Sequence, residues 1–155
     1  MENKNPEQVN EQDYFFMRRA IDLAKEGKST KNAGPFGAVV VRDGTVVVEG
    51  FNTVGAGPDC TQHAELAVIQ KACLKLGSKT LENCTLYTSC EPCMMCLGAI
   101  KWSKLKVVYF GASASDAKDN AFVYSKMYYD SDMNKRHSEF NMKQLLAEEA
   151  ILVWH

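Results

Sequence analysis

The stretch Thr88-Ser89-Cys90-Glu91-Pro92-Cys93-Met94-Met95-Cys96 decides how this chain is read, and it works with His63-Ala64-Glu65 upstream. The pair spells H-x-E and, thirty residues after the histidine, P-C-x-x-C. One imidazole and two thiolates suit zinc with a fourth position left open for water, whereas a closed structural site takes a fourth protein ligand. The obvious spare group is Glu65, two residues from His63 and able to handle protons. His63, Cys93 and Cys96 are therefore candidate metal ligands, and Glu65 is the candidate catalytic acid/base.

The surrounding residues give this pattern a shape. Pro92 suits the first position of a helix, where its missing N–H costs nothing. Cys93 and Cys96 are then i and i+3, neighbours on one helical face. Thr61 or Gln62 precedes the apolar positions Ala64, Ala67 and Val68, which puts His63 and Glu65 in the first turn of another helix. Two helix N-termini facing the metal favour thiolate and hydroxide. Two other readings of the cysteines compete with this one. A lone C-x-x-C is also a redox pair, and Cys90, Cys93 and Cys96 suggest an iron–sulfur site, although such a site wants a fourth cysteine.

The chain has 155 residues, the size of one domain spanning 1–155, with 46% hydrophobic and 24% charged residues. A net charge of −1 gives no general reason to expect nucleic acid or an acidic membrane as partner. The polar start Met1-Glu2-Asn3-Lys4-Asn5-Pro6-Glu7 has no apolar core of a signal peptide, and no run approaches membrane-spanning length. A reducing cytoplasm is expected, with Cys60, Cys73 and Cys84 as small buried or half-buried hydrophobes.

In chain order, residues 1–10 are expected to be disordered. A helix is predicted from about Gln12, with a stripe through Phe15, Phe16, Arg19, Ala20, Leu23 and Ala24, a cap from Asn10 or Asp13, and a stop at Gly27. Strands are predicted at Ala38–Val41 and Val46–Phe51 around an Asp43-Gly44 turn, at Thr85–Thr88, and at Lys106–Phe110. The helix of His63 runs to about Leu76 and is closed by Gly77; that of Cys93 runs to about Trp102. Ser113–Asn120 reads as a loop, Phe122–Tyr129 as an aromatic helix, Glu139-Phe140-Asn141 as a short edge strand, and Met142–Trp154 as a final helix. The alternation argues for an α/β fold, a mixed sheet with helices on both faces.

With these residues placed, the chain resembles the cytidine deaminase superfamily and, within it, the small guanine deaminases. The likeness covers about residues 13–125. It rests on Gly34-Pro35-Phe36-Gly37-Ala38-Val39, Asn52, His63-Ala64-Glu65, Ser89-Cys90-Glu91-Pro92-Cys93 and Cys96-Leu97-Gly98-Ala99-Ile100. The resemblance implies a three-layer α/β/α fold with a central mixed five-stranded sheet, a homodimer with active sites near the interface, and one Zn2+ per subunit. It implies hydrolytic deamination of a nucleobase or nucleoside, guanine to xanthine first among them. Zinc would lower the pKa of a bound water, and Glu65 would carry its proton to the ring nitrogen and the leaving amino group. Asn52 would bond the base, Phe36 would border it, and Ala64 would offer its backbone N–H.

Two departures bear on specificity. Guanine deaminases of this kind carry Gly-Phe-Asp-Asp, whose second Asp accepts from the guanine N1–H and 2-amino group. Aligning through Phe122 and Tyr124 puts Asn120 there, with Asp119 before it. A carboxylate only accepts, whereas an Asn amide also donates, and that mismatch is expected to cost on the order of 1–3 kcal/mol. Either Asp119 takes the role or the base is cytosine, adenine or a nucleoside. The aromatic tail of the family is matched only by Trp154-His155. A tRNA adenosine deaminase is the runner-up, since Asp116-Ala117-Lys118 and Leu146-Ala147-Glu148-Glu149 resemble that branch. Against it, residues 113–155 hold five Lys/Arg and seven Asp/Glu, a net of −2, and Lys101, Lys104 and Lys106 read as a solvated face. A non-catalytic zinc or redox module would have no use for Glu65.

Overall fold

Hydrophobic alternation and two glycine-marked turns place a sheet between helices. A computed structural model describes residues 8–155; the expectation for residues 1–7 lies outside them. The helices are α1 (Glu11–Ser29), α2 (Ala64–Leu76), α3 (Met94–Ser103), α4 (Ala114–Asp119), α5 (Lys126–Asp130), α6 (Met133–Glu139) and α7 (Ala147–Leu152). The strands are β1 (Gly37–Arg42), β2 (Thr45–Phe51), β3 (Cys84–Cys90), β4 (Val107–Ala112) and β5 (Met142–Gln144), in sheet order β2-β1-β3-β4-β5. β1 is antiparallel to β2 and β3, while β3, β4 and β5 run parallel, giving the expected mixed five-stranded sheet.

Side chains alternate across each strand, so one sheet serves two cores. Ala38, Val40, Leu86, Val108 and Phe110 pack against Val68, Ile69 and Ala72 of α2 and Leu97 and Ile100 of α3. Val39, Val41, Tyr87 and Tyr109 face Phe16, Met17, Ala20 and Ala24 of α1 and Ala150 of α7. The result is the three-layer α/β/α architecture. Between Val40 and Val41 the register slips, because Val48 pairs with Val40 and Val46 with Val41, leaving Val47 as a bulge on the outer strand. The β1–β2 turn has positive φ at Asp43 (51°) and Gly44 (72°), as a two-residue hairpin with the right-handed strand twist requires.

Local signals were over-ridden in several places. Asn10 caps α1 in a reciprocal box with Asp13, but Gly27 does not stop the helix, which continues to Ser29. A Cβ at residue 27 would lie 2.2 Å from the Gly34 carbonyl oxygen, so the glycine is there to let the loop before β1 approach. Ser113–Asn120 is a helix rather than a loop, because Ser113 and Asp116 form a capping box. Phe122–Ser125 is irregular and helix begins only at Lys126; α6 carries no apolar stripe that would announce it. The edge strand lies at Met142–Gln144, after Glu139-Phe140-Asn141, which shortens the last helix to Ala147–Leu152. Cys84 is buried and Cys73 half-buried as expected, but Cys60 is exposed.

Gly27→Ala sets two effects against each other. Helix propensity alone would favour alanine by ~1 kcal/mol, but the carbonyl contact demands movement of backbone, and overpacking costs about 1–3 kcal/mol. The net is expected to be destabilisation, read as a lower midpoint in urea; an unchanged or higher midpoint would contradict the close approach.

Candidate metal centre and active site

The site is built where β3 runs out between the starts of two helices. His63 is the N-cap residue of α2 and Cys93 that of α3, both in extended backbone (ψ 151° and 176°). The α3 helix therefore starts after Cys93, and Pro92 lies outside it rather than at its first position. Cys96 is the third helical residue, so the two thiols keep the expected i, i+3 relation on one face. Glu65 follows in the first turn of α2. Helix N-termini carry unpaired N–H groups and partial positive charge, and two of them meet here.

His63, Cys93 and Cys96 bring their ligand atoms within 4.8 Å of one another. Cys93 Sγ lies 3.5 Å and Cys96 Sγ 3.8 Å from His63 Nδ1. A tetrahedral ion with Zn–S of about 2.3 Å and Zn–N of about 2.0 Å separates sulfur from nitrogen by roughly 3.5 Å. The donor set and its spacing thus fit zinc. The Cys96 thiol donating to Cys93, with help from His63, pushes Cys93 down to about 4, while that same contact and burial hold Cys96 up. His63 is raised chiefly by its bond to Cys93, against burial. A thiol that is already thiolate near neutrality is the form a metal needs.

Glu65 is only 6% exposed. Burial foremost, then the charge of Cys93, raises its pKa above the ordinary carboxylate value, and a hydrogen bond from Thr88 opposes this. Thr88 Oγ1 lies 2.8 Å from Glu65 Oε1 and 3.2 Å from the Cys90 carbonyl oxygen. The hydroxyl can donate to the ionised acid, or turn to the carbonyl when Glu65 itself carries the proton. That freedom suits a group that must take up a proton and give it away.

The site opens into a cleft of about 300 Å³ lined by Phe36, Asn52, His63, Ala64, Glu65, Cys90, Glu91, Cys93, Phe122, Val123 and Tyr124. Phe36 and Phe122 meet edge to face at 4.9 Å, and Trp154 packs on both at 5.8 and 5.2 Å while donating from Nε1 to the Pro35 carbonyl at 3.1 Å. Asn52, which lines the cleft, accepts at Oδ1 from the Val54 N–H at 3.0 Å, a bond that does not use its NH2 donors. Ala64 is the first residue of α2, where an N–H has no intrahelical partner. Asp119 and Asn120 are not in the lining. Asp119 is exposed, and Asn120 is the C-cap residue of α4, with its amide on the Asp116 carbonyl at 2.9 Å.

Thr88, Glu91, Val123 and Tyr124 belong to the site's surroundings, and sequence reasoning gave none of them a role; Cys90, read there only as a member of an iron–sulfur alternative, lies outside the metal triad. A threonine and a glutamate in an otherwise apolar buried stretch were the available signals. Cys90 Sγ sits 3.1 Å from the Tyr124 hydroxyl, and burial pushes both groups well above their ordinary values. Neither serves as an acid or base near neutrality.

The family model for the cytidine and deoxycytidylate deaminase zinc-binding region matches residues 10–112. The chain belongs to that family, and zinc is its metal. It is similar to the guanine deaminase of Bacillus subtilis, 49% identical over 117 residues, 76% of this chain and 75% of that one. It is also similar to the tRNA-specific adenosine deaminase of Buchnera aphidicola, 35% identical over 123 residues, 79% and 80% of the two chains. Among solved structures, that of Bacillus subtilis guanine deaminase superposes with a TM-score of 0.73 at 45% identity, covering 83% of this chain and 82% of that one.

Cys93→Ala or Cys96→Ala is expected to purify without zinc, measured by elemental analysis; full occupancy in either would remove that residue from the ligand set. In the wild type, zinc should be released as pH falls, because protons compete for the same thiolate and imidazole atoms.

Proposed function

We propose that the protein is a zinc-dependent aminohydrolase acting on free nucleobases, with guanine, released as xanthine and ammonia, as its substrate. The observation that carries this reading is Glu65, a buried carboxylate of raised pKa held by Thr88 beside the His63–Cys93–Cys96 triad and facing a cleft of base size. Guanine is preferred over adenine or cytosine because a guanine deaminase is 49% identical to this chain.

Zinc held by His63, Cys93 and Cys96 supplies a Lewis acid and a water of lowered pKa. Glu65 would carry one proton of the attacking water to the ring nitrogen as the C–O bond forms, and the second, from the added hydroxyl, to the amino group as the C–N bond breaks, so that water in and ammonia out balance. Phe36 and Phe122 hold the ring plane and exclude water. Asn52 donates from its amide NH2, and Ala64 donates from its backbone. Asp119 and Asn120 are left out of this scheme, since neither lines the cleft.

The chain is further proposed to act as a homodimer in a reducing cytoplasm. Met94 and Trp102 of α3 are 43% and 85% exposed, and Met94 shares a surface groove with Met127, which is 63% exposed. All six cysteines are free thiols, and no described helix is long and apolar enough to cross a membrane. Light scattering that reads the mass of one chain would end the dimer proposal.

The test of function is ammonia release from zinc-loaded protein on guanine, adenine, cytosine, their nucleosides and a tRNA anticodon stem-loop. Turnover confined to guanine is expected; turnover on the stem-loop alone would move the protein to the adenosine branch. Glu65→Gln should keep zinc and fold while losing about 10³-fold in kcat, and a variant near the wild-type rate would remove Glu65 from the mechanism.

A further inference from the structure

Glu91 lines the cleft two residues before Cys93, yet its carboxylate is not offered to a substrate. Its side chain is 1% exposed, and every oxygen is engaged. Oε1 accepts from the Ala114 N–H at 3.1 Å. Oε2 accepts from the Tyr128 hydroxyl at 2.6 Å and from Arg136 Nη2 and Nε at 3.1 and 3.3 Å. His137 Nε2 lies 3.3 Å from the same oxygen but makes no hydrogen bond. The backbone is pinned too: Glu91 N–H donates to Ala112 at 2.7 Å, the Tyr124 hydroxyl donates to the Glu91 carbonyl, and Tyr128 lies 2.8 Å from the Pro92 carbonyl.

Arg136 is the charge at the centre of this arrangement. Its side chain is 11% exposed, it lies over the Tyr128 ring at 4.1 Å, and Nη1 donates to the Tyr128 carbonyl at 3.3 Å and the Ser131 hydroxyl at 2.8 Å. The guanidinium thus spends its whole fork between Glu91 and the turn that links α5 to α6. We infer that Arg136, on a helix that supplies none of the three metal ligands, is a positioning residue for the zinc centre: through Glu91 it fixes the Glu91-Pro92-Cys93 turn that presents one of the two thiolates. A buried pair of this kind adds little to stability over an apolar substitute, but removal of one partner leaves a buried charge without compensation. Here the uncompensated charge would be the carboxylate at the mouth of the ligand turn, left with only the Ala114 N–H and the Tyr128 hydroxyl to hold it. Partners one step beyond the ligands orient them, and their loss commonly weakens metal affinity or activity about 10–100-fold.

The test is the rate of zinc transfer from the loaded protein to a chromogenic chelator, together with the visible absorption of the cobalt-substituted protein, for wild type, Arg136→Met, Arg136→Lys and Glu91→Gln. Arg136→Met is expected to release zinc about ten-fold faster and to change the cobalt bands, with Arg136→Lys lying between it and the wild type. Should Arg136→Met fail to fold, Glu91→Gln carries the test, with the same acceleration expected. A folded Arg136→Met or Glu91→Gln with wild-type release and wild-type cobalt bands overturns the inference, whatever its melting temperature. The inference rests on the zinc reading of the triad, and the two fail separately. A wild-type protein that takes up no zinc ends both, whereas a zinc-bound wild type with an indifferent Arg136 ends only this one.

Discussion

Three ligand atoms from two helices separated by a strand have to sit within 4.8 Å of one another, and the remaining design follows from that constraint. Two thiols and an imidazole brought so close crowd one another, and only one thiol is readily ionised there, so their backbones have to be fixed from outside. The fixing comes from β3, which pairs antiparallel with β1 on one side and parallel with β4 on the other. Its last residues deliver Thr88 to Glu65 and lead directly into the turn of Cys93. Ser89 adds a lateral tie, its hydroxyl accepting from the Gly37 N–H at 3.0 Å. The site hangs from the central strand of the sheet, held by a neighbour on either side.

The same strand divides the chemistry from the bulk. On one face, Tyr87 and Tyr109 stack at 5.2 Å with the Tyr87 hydroxyl on buried Asp13 at 2.6 Å, a polar knot beneath α1 far from the metal helices. On the other, Leu86 and Val108 join the packing of α2 and α3. The two glutamates of the cleft have different surroundings. Burial raises the pKa of Glu65, whose oxygen-bearing partner is Thr88, while Glu91 is bonded to an arginine, a tyrosine and a backbone N–H.

Much of this was legible because it is encoded locally. H-x-E and P-C-x-x-C are spacings set by helix geometry, and the alternation of Ala38–Val41 is set by the pleat, so ligands and inner strands could be read from short windows. What was misread depends on distant partners. Gly27 has the local meaning of a helix stop, but its role is set by Gly34, seven residues on and across a loop. Residues 113–155 hold short helices whose periodicity never completes two turns, so α6 and β5 are defined by what they pack against. The place of Asp119 and Asn120 was inferred by aligning a loop, and the capping box at Ser113 turned that loop into a helix pointing its end elsewhere. Arg136 had no signal at all: a basic residue in the run Lys135-Arg136-His137 looks solvated until Glu91 is known to be beneath it.

The bulge at Val47 reaches beyond the hairpin in which it sits. An outer strand of seven residues offers a neighbouring molecule a row of unpaired amides, the template on which sheets of separate chains fuse. Here the extra residue breaks the row in its middle, and Lys75 fills the gap by donating to the Val47 carbonyl at 2.9 Å. The opposite border ends in the three residues of β5, too short to template anything. Both margins of the sheet are thus poor templates for strand addition, and the strand that carries the metal turn is shielded from it on either side.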